Sequence, residues 1–238
     1  MSKFDINRFV IVLTSTVHIN RNKAYLHQTD PTVRINVYLK SVRQWLNKTP
    51  FKICLVENSG YAFEELKEEL EFFSNRFEII KFDESNLKEF SNIKNSDSKG
   101  ESELLAINIA RQNSLLFKKS IFMIKITARY YIDGLYQHLV DTKMDEKIAF
   151  DFDTHPNYIV ALRQNNPTRC EMVGCNLRFF DHIFNMNVSD DYNRKNGHVE
   201  DIYRVRMEIL NINQVYNCPE FDIEPTSRGG VDQIFYNI

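Results

Sequence analysis

The 238-residue chain carries 30 Lys and Arg against 32 Asp and Glu, a formal net charge of −2, with 43% hydrophobic and 26% charged residues. That length and composition suit one undivided α/β domain over residues 1–238 with a sizeable core. The balanced charge argues against a nucleic-acid partner, because duplex binding calls for a basic excess, and leaves room only for a local basic site serving one phosphorylated ligand.

The first residues, MSKFDINRF, hold no apolar signal core, and no run approaches membrane-spanning length. The expectation is a cytoplasmic protein without a transmembrane segment, with peripheral membrane association left open. Phe9-Val-Ile-Val-Leu13 reads as a strand buried on both faces, leaving the sheet at Thr14-Ser15-Thr16. Asp30-Pro31 supplies a helix N-cap and a proline for the first helical position, and Ile35, Leu39, Val42 and Leu46 follow at helical spacing. A second strand, Phe51 to Val56, breaks at Glu57-Asn58-Ser59-Gly60. Phe63, Leu66, Leu70 and Phe73 then mark a helix before the strand Phe77 to Phe82.

This β-α-β-α-β order predicts a mostly parallel sheet with helices on both faces, Phe9–Leu13, Phe51–Val56 and Ile121–Ile126 being neighbouring inner strands. The polar stretch 83–100 reads as a loop ending at Lys99-Gly100-Glu101-Ser102, which opens a helix through Ala106 and Ala110. Later pieces are less regular. Lys147–Phe150 and Tyr158–Leu162 read as strands, 163–176 as a polar loop, Val199, Ile202, Val205 and Ile209 as one face of a helix starting near Gly197, and Glu224 to Gly230 as a loop. Cys54, Cys170, Cys175 and Cys218 form no CxxC pair and read as free thiols of a reducing compartment.

Ligands of open α/β sheets bind beyond the carboxyl ends of the strands. That rule selects Thr14 and Ser15, Glu57 and Asn58, Gly100, and Lys125 with Thr127 and Arg129 as donor-site candidates. Gly100 at a helix start can bring backbone N–H groups to a phosphate, and Lys125 and Arg129 can supply charge to a diphosphate. No GxxxxGK[ST] or GxGxxG segment is present, which removes the main support for ATPase and dinucleotide-oxidoreductase readings.

The order of elements resembles the GT-A type of glycosyltransferase, a Rossmann-like α/β fold. More narrowly, Lys125-Ile-Thr-Ala-Arg-Tyr130 resembles the Lys-x-Thr-Gly-Arg-Tyr segment of some surface-polysaccharide and large-virus glycosyltransferases, with Ala128 in place of the glycine. The likeness covers roughly residues 8–132 by element order, and later only Asn176–Phe180, Glu200 and the Gly229-Gly230 loop. It implies a nucleotide-diphosphate sugar donor held by residues 1–132. A glycan or other hydroxyl acceptor would be held by 133–238, chiefly by loops 163–180 and 224–230. In that group this segment stands where most GT-A enzymes carry Asp-x-Asp. No cofactor is therefore expected to be required, while Asp151 and Asp153 remain the alternative site for Mg²⁺ or Mn²⁺.

Glu200 is the candidate catalytic base, since sugar transfer needs a carboxylate to deprotonate the incoming hydroxyl. Plainer readings stand beside these. Glu200 could pair with Arg204 on a helix surface, Lys125 and Arg129 could be strand-end surface charges, and Glu57 to Gly60 is turn chemistry without any ligand. A non-catalytic nucleotide-sugar-binding subunit and another Rossmann-like transferase are the competing functions.

Overall fold

The computed structural model describes residues 4–19, 27–88, 91, 93, 99–149, 158–166, 169–187, 199–227 and 233–238. Strand β1 (Phe9–Ser15) is followed by α1 (Pro31–Lys48), β2 (Lys52–Glu57), α2 (Lys67–Phe72), β3 (Phe77–Lys81), α3 (Lys99–Asn113) and β4 (Phe122–Thr127). Helices α4 (Leu135–Asp141) and α5 (Met144–Lys147) then lead to β5 (Ala161–Arg163), β6 (Met172–Asn176), α6 (Phe180–Ile183), α7 (Val199–Glu208) and β7 (Val215–Asn217). Strands β8 (Asp222–Ser227) and β9 (Ile234–Asn237) pair as a separate antiparallel ribbon.

The main sheet has the order β3-β2-β1-β4-β6-β5-β7. Pairings β1–β2, β1–β4, β2–β3 and β5–β7 are parallel, and among the described strands of this sheet only β6 runs against its neighbours, β4 and β5. This is the mostly parallel α/β sheet expected from the sequence, with β2, β1 and β4 adjacent at its centre.

Strand alternation splits the core into two layers. Phe9, Ile11 and Leu13 of β1, Ile53 and Leu55 of β2, and Phe122, Ile124 and Ile126 of β4 pack under α1 with Tyr38, Val42 and Trp45. Val10, Val12, Cys54, Val56 and Met123 face the other way, toward Leu104, Ile107 and Ala110 of α3 and Ile202 and Tyr203 of α7. The start of α1 follows its sequence signal. The Asp30 carboxylate accepts from the N–H groups of Thr32 at 2.7 Å and Val33 at 3.3 Å, and Pro31 opens the first turn.

Four expectations from the second half are corrected. Lys147 closes α5 and Ile148 turns back on Met144, with N–H to carbonyl at 3.0 Å, so no strand forms at 147–149; Phe150 lies outside the described residues. The stretch 163–176 contains the buried strand β6, whose signal Gly174 conceals. A Cβ at Gly174 would stand 2.8 Å from the Met123 carbonyl oxygen and 2.9 Å from the Phe122 ring, so only glycine lets the two strands meet there. Helix α7 buries Val199, Ile202, Tyr203 and Arg206, while Ile209 lies beyond its end and is 69% exposed. The stripe is rotated because the Arg206 guanidinium binds the carbonyls of Ile183 and Asn185, each at 2.9 Å. Residues 224–227 belong to β8, and Gly229 and Gly230 lie outside the described residues.

Trp45 joins the α1 layer to the segment after β4. Its indole is fully buried, donates to the Tyr130 carbonyl at 2.9 Å, and meets the Tyr131 ring edge-on at 5.0 Å. Trp45→Ala is expected to lower unfolding stability by about 3–5 kcal/mol, read from urea titration by circular dichroism.

Candidate functional site

The carboxyl ends of β1, β2 and β4 open into a cleft closed on one side by α1 and on the other by the first turns of α3. It encloses about 720 Å³ of empty space, open solvent at its mouth included. Thr14 and Ser15 end β1 and Thr16 follows it, Asn58 follows β2, Thr127 ends β4 with Arg129 two residues beyond, Arg34 and Tyr38 come from α1, and Lys99, Ser102, Glu103 and Ala106 from α3; Ile19 and Glu84 complete the described lining.

Among the described residues three cations, Arg34, Lys99 and Arg129, face this cleft. Arg34 reaches it from the end of the first turn of α1 and is 5% exposed. Its Nε donates to the Thr16 carbonyl at 2.6 Å, Nη1 to Gln28 at 3.0 Å and Nη2 to the Tyr38 hydroxyl at 2.7 Å, so it fastens the segment after β1 to the helix. Burial is the main cause holding its guanidinium below the ordinary value; Tyr38 opposes this and the neighbouring charge of Arg129 adds to it. Lys99, at the exposed mouth, is also held below the ordinary lysine value, first by loss of water around its ammonium and then by Arg129 and Arg34, against the favourable charge of Glu200. Mutually repelling cations that share a pocket are relieved by a polyanionic ligand.

The loop ends are set by internal hydrogen bonds. Glu57 is fully buried and accepts from the backbone N–H groups of Val17 at 2.9 Å, Ser59 at 3.0 Å and Tyr61 at 2.8 Å, and from the Ser59 hydroxyl. Gly60, at φ +86°, lets the chain fold back around that carboxylate. Asn58 links both walls, accepting from the Thr16 hydroxyl at 2.6 Å and donating to Glu84 at 2.9 Å.

Of the residues singled out from the sequence, Thr14, Ser15, Asn58, Thr127 and Arg129 line the cleft, and Glu57, Gly100, Lys125 and Glu200 are not among its lining residues. Glu57 is engaged by the backbone around it. Lys125 is no strand-end surface charge: it is fully buried, 2.7 Å from Glu103 Oε1 and 2.7 Å from the Cys170 carbonyl, behind the cleft floor. Burial alone would lower its pKa, but the Glu103 carboxylate leads the groups that raise it above the ordinary value.

Gly100 packs rather than binds. A Cβ there would overlap the Val199 side chain at 2.3 Å, so its role is the close approach of α3 and α7. Glu200 sits half-buried in the first turn of α7, close enough to Lys99 and Glu103 to shift both. The Glu200–Arg204 pair is not the one that forms, because Arg204 pairs with Asp201 at 3.3 Å and Glu208 at 3.2 Å. Asp151 and Asp153 lie outside the described residues, and among the described residues no group of three His, Cys, Asp or Glu side chains is placed to hold a metal ion.

Sequence reading missed Arg34, Tyr38, Glu84 and Glu103. Arg34 had a visible signal, a charged residue one turn before Tyr38 on the buried stripe of α1. Glu103 had none beyond its place four residues into α3.

No protein-family model matches this chain, and no curated protein matches it in sequence. Among solved structures it is similar to a Desulfovibrio desulfuricans G20 protein assigned as a nucleotide-diphospho-sugar transferase. The TM-score is 0.47 at 12% identity, over 89% of this chain and 80% of that one. A likeness of that size carries no functional weight, so the cleft's own chemistry has to supply it.

The α3–α7 contact is directly testable. Gly100→Ala is expected to lower unfolding stability by about 1–3 kcal/mol through overpacking. Adding Val199→Ala should recover part of that loss, a non-additivity measurable by denaturant titration of the two single variants and the double variant.

Proposed function

We propose that this chain is a nucleotide-sugar-dependent glycosyltransferase that binds its donor in the cleft at the carboxyl edge of β1, β2 and β4. The observation that carries this reading is the convergence of Arg34, Lys99 and Arg129 with the hydroxyls of Thr14, Ser15, Thr16, Ser102 and Thr127 on one pocket. Cations suit a diphosphate, and hydroxyls and the Asn58 amide suit a base and ribose. Glu57, Gly100 and Lys125 serve this site indirectly, by shaping its loops, its helix packing and its floor. The resemblance carried by Lys125 to Tyr130 agrees in placing a phosphate-binding cation, Arg129, just beyond β4.

When the glycosidic bond to the donor breaks, negative charge grows on the departing nucleoside diphosphate. Cations already held in place stabilise that charge without reorganising, which is where fixed electrostatics lowers a barrier. Arg34 is held on three sides by hydrogen bonds and suits this role. Thr127-Ala128-Arg129 offers no carboxylate to a divalent cation, so donor binding is proposed to be independent of Mg²⁺ and Mn²⁺. Glu200, at the α3–α7 contact and close to Lys99, is the proposed base for a glycan or other hydroxyl acceptor. Residues 133–238 are the proposed acceptor half. Its binding surface must come from loops outside β6 and β8, which are strands. Among the described residues no helix is long and apolar enough to cross a membrane.

One observation favours a second reading. Glu200 is not among the residues lining the cleft, which suits a nucleotide-sugar-binding subunit that lacks transfer activity. Detecting donor hydrolysis or sugar transfer, lost in Glu200→Gln, separates the enzyme from that subunit.

Arg129→Ala and Lys99→Ala are each expected to weaken nucleotide-diphosphate-sugar binding by about 1.5–3 kcal/mol, roughly 10- to 150-fold, by calorimetry. Lys125→Ala should act differently. It strips Glu103 of its counter-charge and is expected to lower unfolding stability by about 3–5 kcal/mol. Donor titration in excess EDTA should give unchanged affinity. Loss of binding under chelation, reproduced by Asp151→Asn and Asp153→Asn, would instead make those two residues the metal site.

A further inference from the structure

Among the described residues two carboxylates line the cleft, and they differ in what they have left to offer. Glu84 gives one oxygen to the Asn58 amide at 2.9 Å and the other to the Ser102 hydroxyl at 3.1 Å. Glu103 spends Oε1 on the Lys125 ammonium at 2.7 Å, with the Tyr203 hydroxyl at 3.5 Å. Among the described residues its Oε2 has the Thr14 hydroxyl, at 3.5 Å, the outer limit of a hydrogen bond. A carboxylate has about four lone-pair sites, so Oε2 retains strong acceptor capacity on the cleft side.

That carboxylate is also fixed. Lys125 lies fully buried behind it, tied to the Cys170 carbonyl, and the Glu103 side chain keeps 17% of its surface exposed. An anion in this position repels phosphate and attracts hydroxyl hydrogens. Cations and an anchored carboxylate with acceptor capacity to spare, set in the same pocket, therefore sort a ligand into its phosphate part and its hydroxyl part.

We propose that Glu103 reads a ring hydroxyl of the bound ligand through Oε2, either on the ribose or on the sugar to be transferred, and that Lys125 is the positioning residue that holds it there. The proposal rests on the nucleotide-sugar reading above and adds the specificity of that site. It makes the site prefer ligands that carry both an anionic diphosphate and a correctly placed hydroxyl. Rejection of the analogue without the hydroxyl follows from leaving the buried acceptor unpaired.

The test is calorimetry on the full chain with inorganic pyrophosphate, the common nucleoside diphosphates, their 2′-deoxy counterparts and their sugar esters. In Glu103→Gln, affinity for the hydroxyl-bearing ligand is expected to fall about 10- to 150-fold, whereas pyrophosphate affinity stays within about twofold. A loss already seen with the nucleoside diphosphate and absent with its 2′-deoxy form places the hydroxyl on the ribose. A loss confined to the sugar esters places it on the transferred sugar. Should Glu103→Gln fail to fold, Glu103→Asp keeps the charge opposite Lys125, withdraws Oε2 by one methylene, and is read by the same comparison. Unchanged affinity throughout, or an equal loss on every ligand including pyrophosphate, overturns the Glu103 role while leaving the donor site standing. Wild-type protein that binds none of the panel overturns the nucleotide-sugar reading, and this proposal with it.

Discussion

A lysine ammonium inside a sheet-to-helix layer is the constraint around which this molecule is arranged. Lys125 occupies a β4 position in register with Val12 of β1 and Val173 of β6, both members of the layer under α3. An unpaired charge there would cost several kcal/mol. The carboxylate that answers it must come from the covering helix, and Glu103 does so at 2.7 Å. That single requirement sets the rotation of α3 over β1 and β4. With Glu103 turned inward, Lys99, Ser102 and Ala106 fall on the cleft side, and Tyr203 of α7 is drawn against the same carboxylate.

The cleft is then shaped by a second buried carboxylate with a different task. Glu57 takes up three backbone N–H groups from the loops after β1 and β2, groups that would otherwise point unpaired into the interior. Arg34 completes the same loop from the opposite side through the Thr16 carbonyl. Loops so anchored can present hydroxyls and cations in fixed positions, which a site that must stabilise developing charge requires. Glu57 and Lys125 thus matter to the pocket without lining it.

The α3–α7 seam connects the donor cleft to the second half of the chain. Gly100 lets Val199 approach to a distance no other residue permits, and Glu200 follows directly after Val199. A carboxylate near Lys99 and Glu103 is therefore a consequence of packing between two helix starts.

Sequence alone determined the strands β1, β2, β3 and β4, the α1 cap and the order of the first half. These depend on local signals: continuous apolar runs, Asp30-Pro31, and helical spacing of Leu39, Val42 and Leu46. It also located the cleft at the carboxyl edge, because parallel strands place their loops there, and it named five of the lining residues. Which charged groups face that cleft was a tertiary decision. Lys125 and Arg34 are one residue each in their own segments, and nothing local says that one turns to a buried Glu103 while the other folds under the loop after β1. Strand β6 was hidden for a related reason: Gly174 is a poor strand former by itself, and becomes the right residue only when the Phe122 ring and the Met123 carbonyl are already in place. Propensity and periodicity are properties of neighbours in sequence, whereas ion pairs and close backbone approaches are made by neighbours in space.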